Sequence, residues 1–121
     1  MVEVKKNIVK DKSYKLALRI IKLYKYLCDE KKEYVLSKQL LRSGTSVGAN
    51  VEEAIGGISK KDFLNKMYTA YKEARETNYR INLLRDSEYI EVKAADSLQV
   101  DCEEILKIIG KIISTSKLKS N

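Results

Sequence analysis

The chain has 121 residues, 34% of them charged and 44% hydrophobic, with a formal net charge of +7. That balance excludes a disordered chain, and the length favours one domain whose core needs no staple. There is no proline and no histidine, and only five glycines occur. The punctuation of turn-rich all-β domains is therefore missing, and Ser-His and Cys-His nucleophile pairs are excluded.

The first apolar rhythm predicts a helix from about Ser13 to about Glu30, with Asp11 or Ser13 as its cap. Leu16, Ile20, Leu23 and Leu27 form one stripe. Ala17, Ile21, Tyr24 and Cys28 form a second beside it, a face wider than a two-helix seam needs. A second helix is predicted from about Tyr34 to about Ile55, through Leu36, Leu40, Ser43, Val47, Asn50 and Ala54. Its RSGTSVGAN stretch has poor helix propensity, so a break near Gly44 is the alternative. Small residues there would let another backbone approach closely.

Gly56 and Gly57 close that helix, and Ser59 with Asp62 opens the next in a capping-box-like pair. The third helix should reach about Arg85, with Phe63, Met67, Ala70, Ala74, Thr77, Ile81 and Leu84 in unbroken four-three spacing. Asp86 and Ser87 form the turn. A fourth helix is predicted from about Glu91 to about Ser114, on Ala95, Leu98, Cys102, Ile105, Ile109 and Ile112, widened by Leu106 and Ile113. All connections are short, which makes an all-α, antiparallel up-down-up-down four-helix bundle. Residues 1–121 read as a single domain, with about 1–12 and 115–121 as flexible tails. Cys28 and Cys102 read as small core residues. The opening MVEVKKNIVK lacks the apolar centre of a signal peptide, and no apolar run reaches membrane-spanning length. The expected location is the cytoplasm, with no membrane contact.

Chemistry-bearing constellations are sparse. Glu52, Glu53, Glu73, Glu76, Glu103 and Glu104 lie on three helices, but a di-metal bundle site needs Glu-x-x-His pairs. GTSVGAN lacks the lysine and spacing of a phosphate-binding loop, and zinc spacings are absent. No metal, cofactor or catalytic residue is expected. Asn50 and Glu53 read as structural polar residues. Asn50 falls in phase with the core, where it would make an interior hydrogen bond that fixes helix register, or else contact a ligand or partner. Arg42 is placed to pair with a third-helix carboxylate such as Glu76. Tyr68, Tyr71 and Tyr79 flank the third core stripe. Bases could stack on them, although burial against a helix or subunit is commoner.

The lysines are more ordered than their number suggests. An up-down bundle brings together the start of helix one, the helix two-three turn and the end of helix four. The first carries Lys5, Lys6, Lys10 and Lys12, the second Lys60 and Lys61, the third Lys111, Lys117 and Lys119. Glu3, Asp11 and Asp62 are the acids set against them. The opposite end carries Asp29, Glu30, Glu33, Asp86, Glu88 and Glu91, partly balanced by Lys31, Lys32, Arg85 and Lys93.

LSKQLLRSGTSVGANVEEA (36–54) and SKKDFLNKMYTAYKEARETNYRINLLRDSEYI (59–90), with ALRIIKLYKYL (17–27), resemble a bacterial four-helix bundle family. That family includes products of reading frames within intervening sequences of 23S ribosomal RNA genes. The chain is also similar to accessory variability proteins of diversity-generating retroelements. The resemblance implies an antiparallel bundle and, in several members, a ring-shaped pentamer. For the retroelement relatives it implies a basic surface that binds nucleic acid and a reverse transcriptase. The expectation is a non-enzymatic homo-oligomer, with RNA or DNA bound at the basic end. The alternative is a protein-interaction module or accessory subunit of a nucleic-acid enzyme such as a reverse transcriptase.

Overall fold

The computed structural model describes residues 2–118, which form four helices: α1 Val2–Asp29, α2 Leu36–Ile55, α3 Lys60–Asp86 and α4 Val92–Leu118. Contacts between neighbouring helices run in opposite sequence order. On α1 and α2, Cys28 faces Ser37, Ile20 faces Gly44, and Lys10 faces Glu52. On α2 and α3, Ser43 meets Thr77 and Glu53 meets Lys66. On α3 and α4, Asn82 meets Gln99 and Tyr68 meets Lys117. α4 closes the bundle against α1 through Arg19 with Asp101 and Lys12 with Glu104.

The core is the predicted four-three pattern made solid. Leu16, Ile20 and Leu27 of α1, Leu40 and Val47 of α2, Met67, Ile81 and Leu84 of α3, and Ile105, Ile109 and Ile112 of α4 are fully or almost fully buried. Each large aliphatic side chain removed from water in this way stabilises the fold by about 1.5–3 kcal/mol. Leu23 and Phe63, placed in the core stripes by the spacing, are only partly buried at its margin.

Two expectations about the ends are corrected. Residues 2–12 belong to α1, because the stripe continues backwards from Leu16 through buried Ser13 to buried Val9. Neither Asp11 nor Ser13 is a cap: Asp11 pairs with Lys15 at 3.0 Å and Ser13 Oγ donates to the Lys10 carbonyl at 3.2 Å. Residues 115–118 likewise extend α4, where Ser116 is buried.

α2 is continuous through Gly44 and Gly48. Its glycines serve the seam with α1: a Cβ on Gly44 would stand 2.7 Å from Ile20 Cγ2, and one on Gly48 would stand 3.4 Å from the Ser13 carbonyl oxygen. The buried hydroxyls beside them are satisfied. Thr77 Oγ1 lies 3.1 Å from Ser43 Oγ and 2.8 Å from the Glu73 carbonyl.

Both turns at the far end place a non-glycine residue in the left-handed region, Lys32 at φ 54° and Glu88 at φ 68°. Such residues commonly end helices because their amides reach back to the last open carbonyls. Next to Lys32, the Glu33 carboxylate takes over the start of α2. It accepts the backbone N–H groups of Ser37 at 2.7 Å, Leu36 at 3.1 Å and Val35 at 3.2 Å. Burial alone would raise the Glu33 carboxyl, but these donors and the Ser37 hydroxyl outweigh it and hold the group below its usual range.

Candidate nucleic-acid interface

The start of α1, the end of α2, the start of α3 and the end of α4 share one end of the bundle. They surround an open depression of about 360 Å³ lined by Lys6, Ala54, Lys60, Phe63 and Ser116 among others. Ser59 caps α3 here, its hydroxyl accepting the Asp62 N–H at 3.1 Å. Lys6 is held in place twice, with its ammonium 3.1 Å from Glu3 and 4.6 Å from the centre of the Phe63 ring. Lys117 lies 5.3 Å over the Tyr68 ring. Lys60, Lys61 and Lys111 are exposed and Lys5 is half-buried. Among the described residues no ion pair claims any of these four.

Two of the sequence-predicted lysines are placed differently. Lys10 pairs with Glu52 at 3.6 Å and Lys12 with Glu104, so both sit on the flank of the bundle with a carboxylate of a neighbouring helix. The hydrogen bond with Glu104 raises the Lys12 pKa despite some loss of hydration. Glu53, read as structural, is exposed and pairs with Lys66 at 3.6 Å. The short list of acids at this end, Glu3, Asp11 and Asp62, is corrected accordingly: Glu52, Glu53 and Glu104 belong beside it. Lys119 lies outside the described residues.

The other polar positions divide cleanly. Arg42 and Glu76 are brought together at 3.4 Å, and the same guanidinium reaches Glu73 at 3.3 Å. Glu73 is buried, with the Arg42 guanidinium on one of its oxygens. Asn50, by contrast, is only half-buried, and its amide donates to the Ser46 carbonyl of its own helix at 2.8 Å. The interior position next to it is Val51. A bond within one helix cannot set register between two, so the expected role for Asn50 is withdrawn.

Sequence reading missed the Arg19 cluster. Arg19 meets Asp101 at 2.6 Å and Ser97 Oγ at 3.0 Å, tying α1 to α4. At the opposite end Arg85 and Asp86 pair with each other at 2.8 Å, raising the one pKa and lowering the other. Among the described residues no group of three or more Cys, Asp or Glu side chains is placed to hold a metal ion. Among the described residues no helix is long and apolar enough to cross a membrane.

A profile of the 23S rRNA-intervening sequence protein family matches residues 5–111. The chain belongs to that family. The 23S rRNA-intervening sequence match spans all four helices, including the lysine-rich first turns of α1. A crystal structure of a protein of unknown function from the S23 ribosomal protein family of Bacteroides thetaiotaomicron superposes with a TM-score of 0.90. It is 51% identical, and the alignment covers 91% of this chain and 98% of that one. No curated protein matches.

Proposed function

We propose that this chain is a non-enzymatic cytoplasmic protein that assembles with copies of itself and binds RNA through its basic end. The observation that supports this reading is the gathering of Lys5, Lys6, Lys60, Lys61, Lys111 and Lys117 from three helices at one end. Lysines gathered at one end suit a polyanion, because each phosphate contact releases counterions into solution. In a ring of parallel subunits, a pentamer as the resemblance suggests, these ends would add. Apolar and tyrosine side chains exposed on α1, namely Val4, Ile8, Tyr14 and Leu18, offer surface for assembly. The family names, 23S rRNA-intervening sequence protein and S23 ribosomal protein, make ribosomal RNA the first polyanion to try.

The test is binding of fluorescently labelled RNA across a salt series, with mass measured by light scattering. The reading expects affinity that falls steeply with salt and a mass at least twice 13.9 kDa. A 13.9 kDa species that ignores RNA at low salt would overturn it.

A second reading is favoured by one observation. Ile58, in the α2–α3 turn, is 96% exposed at the same end, close to the exposed Ile55. An isoleucine held in water beside lysines suits a protein partner, such as the nucleic-acid enzyme of an accessory-subunit arrangement. Retention of RNA binding by Ile58→Ser, with loss of a co-purifying protein, would move this reading ahead.

A further inference from the structure

We propose that the outer face of α3 is a stacking platform for single-stranded nucleic acid, with Tyr79 as the aromatic plate and Lys72 and Arg75 as the phosphate contacts. This deepens the RNA reading above and rests on it. Tyr68, Lys72, Arg75 and Tyr79 are spaced four, three, four, so they share one face of the helix. The two tyrosines are three turns apart, about 16 Å along the axis, which is the length of four to five stacked nucleotides at about 3.4 Å each.

The face is open and positive. Tyr79 is 63% exposed, and with Lys72, Arg75, Glu76 and Arg80 it lines a depression of about 470 Å³. The carboxylates nearby are already engaged: Glu76 is 3.4 Å from both Arg42 and Arg80, and Glu73 is 3.3 Å from Arg42. Lys72 and Arg75 are both exposed on this face, and among the described residues neither is held in an ion pair. At its other end the stripe meets the basic end through Lys117 over Tyr68.

Charge argues for a polyanion over a two-fold contact with a second copy of the chain. A two-fold contact through this face would set Lys72 and Arg75 against their own copies, and like charges brought together are unfavourable. A single strand supplies phosphates for the cations and unpaired bases for the ring, and a duplex hides its bases from such a ring.

The experiment compares a labelled twelve-nucleotide oligouridylate with a twelve-base-pair RNA duplex, using the full-length protein. Tyr79→Ala is expected to weaken binding of the single strand by about 5- to 100-fold, as loss of one stacked base does. Tyr79→Phe keeps the ring and should bind within about twofold of the parent. Duplex affinity and oligomer mass should be unchanged in both. Single-strand binding by Tyr79→Ala equal to the parent overturns the proposal, and so does a fall in oligomer mass, which would make Tyr79 a subunit contact. If Lys60→Ala with Lys61→Ala loses RNA while Tyr79→Ala does not, the platform alone fails and the basic-end reading stands. If the parent protein binds neither RNA, both fail together.

Discussion

Gly44 and Ile20 touch so closely that a single methyl group on Gly44 would stand 2.7 Å from Cγ2 and 2.8 Å from Cγ1 of the isoleucine. Ile20 is buried and β-branched, so it cannot swing aside cheaply. Gly44→Ala should therefore destabilise the fold by about 1–2 kcal/mol, overpacking outweighing the better helix propensity of alanine. Gly48→Ala meets Ser13 less closely, its carbonyl oxygen at 3.4 Å and its Oγ at 3.5 Å, so it should be neutral or stabilise by up to about 1 kcal/mol. Urea unfolding of the two variants gives the comparison, and equal effects would refute the close seam.

The Glu33 carboxylate caps α2 from the residue two before its N-cap. Glu33→Ala should cost about 0.5–2 kcal/mol, the range for losing a helix cap. Its carboxyl is lowered in the folded state, so the stabilisation is complete above the usual carboxyl range near 4.5 and is lost as pH falls through the lower, folded value. The parent should thus lose stability between pH 5 and the acid limit faster than Glu33→Ala does. Parallel acid titrations followed by circular dichroism would decide it, and superimposable curves would remove Glu33 from the account of α2.

How much of this was legible in the sequence depended on the neighbours of each residue. The stripes of α3 and α4 could be read because Met67, Ala70, Ala74 and Thr77, like Leu98, Cys102 and Ile105, keep the four-three spacing between charged residues. The first turns of α1 were hidden because Ser13 resembles a cap, and its burial shows only when α2 approaches with glycine at 48. In α2 the small residues blur the phase. Ser43 and Gly44 are both buried, so a count by fours and threes lands as easily on Asn50 as on Val51, and only packing selects Val51. The lysine-rich end could be read from chain order alone, but the pairing of Lys10 with Glu52 and of Lys12 with Glu104 is set by helix rotation, which spacing does not encode.

Arg42 is the partner that keeps Glu73 tolerable inside the α2–α3 seam. Arg42→Ala should destabilise by about 1–3 kcal/mol, since a buried carboxylate left without its cation is costly. Adding Glu73→Gln to that variant should recover part of the loss. A loss below about 0.5 kcal/mol in Arg42→Ala would mean that water serves Glu73 as well as the guanidinium does.

Burial in the α4 stripe pushes the Cys102 thiol up to about 12, with the negative charge of Asp101 adding to it. At pH 8 it should be protonated and unreactive in the folded protein. Cys28 is only half-buried beside Ser37. A colorimetric thiol titration is expected to label Cys28 alone in buffer and both cysteines in urea. Prompt labelling of both in buffer would show α4 opening far more readily than its packing allows.

The central claim, that the lysines of the basic end bind phosphate by their placement and not by net charge, is tested by two double variants that remove equal charge. Lys60→Ala with Lys61→Ala takes it from the α2–α3 turn, and Lys31→Ala with Lys32→Ala takes it from the opposite end. RNA affinity and its salt dependence would be measured by fluorescence anisotropy for both. The Lys60/Lys61 double should lose substantial affinity for all RNA sequences alike, and its salt slope should fall by about 0.7 to 0.9 for each phosphate contact removed. The Lys31/Lys32 double should bind as the parent does, and equal losses in the two doubles would contradict the claim.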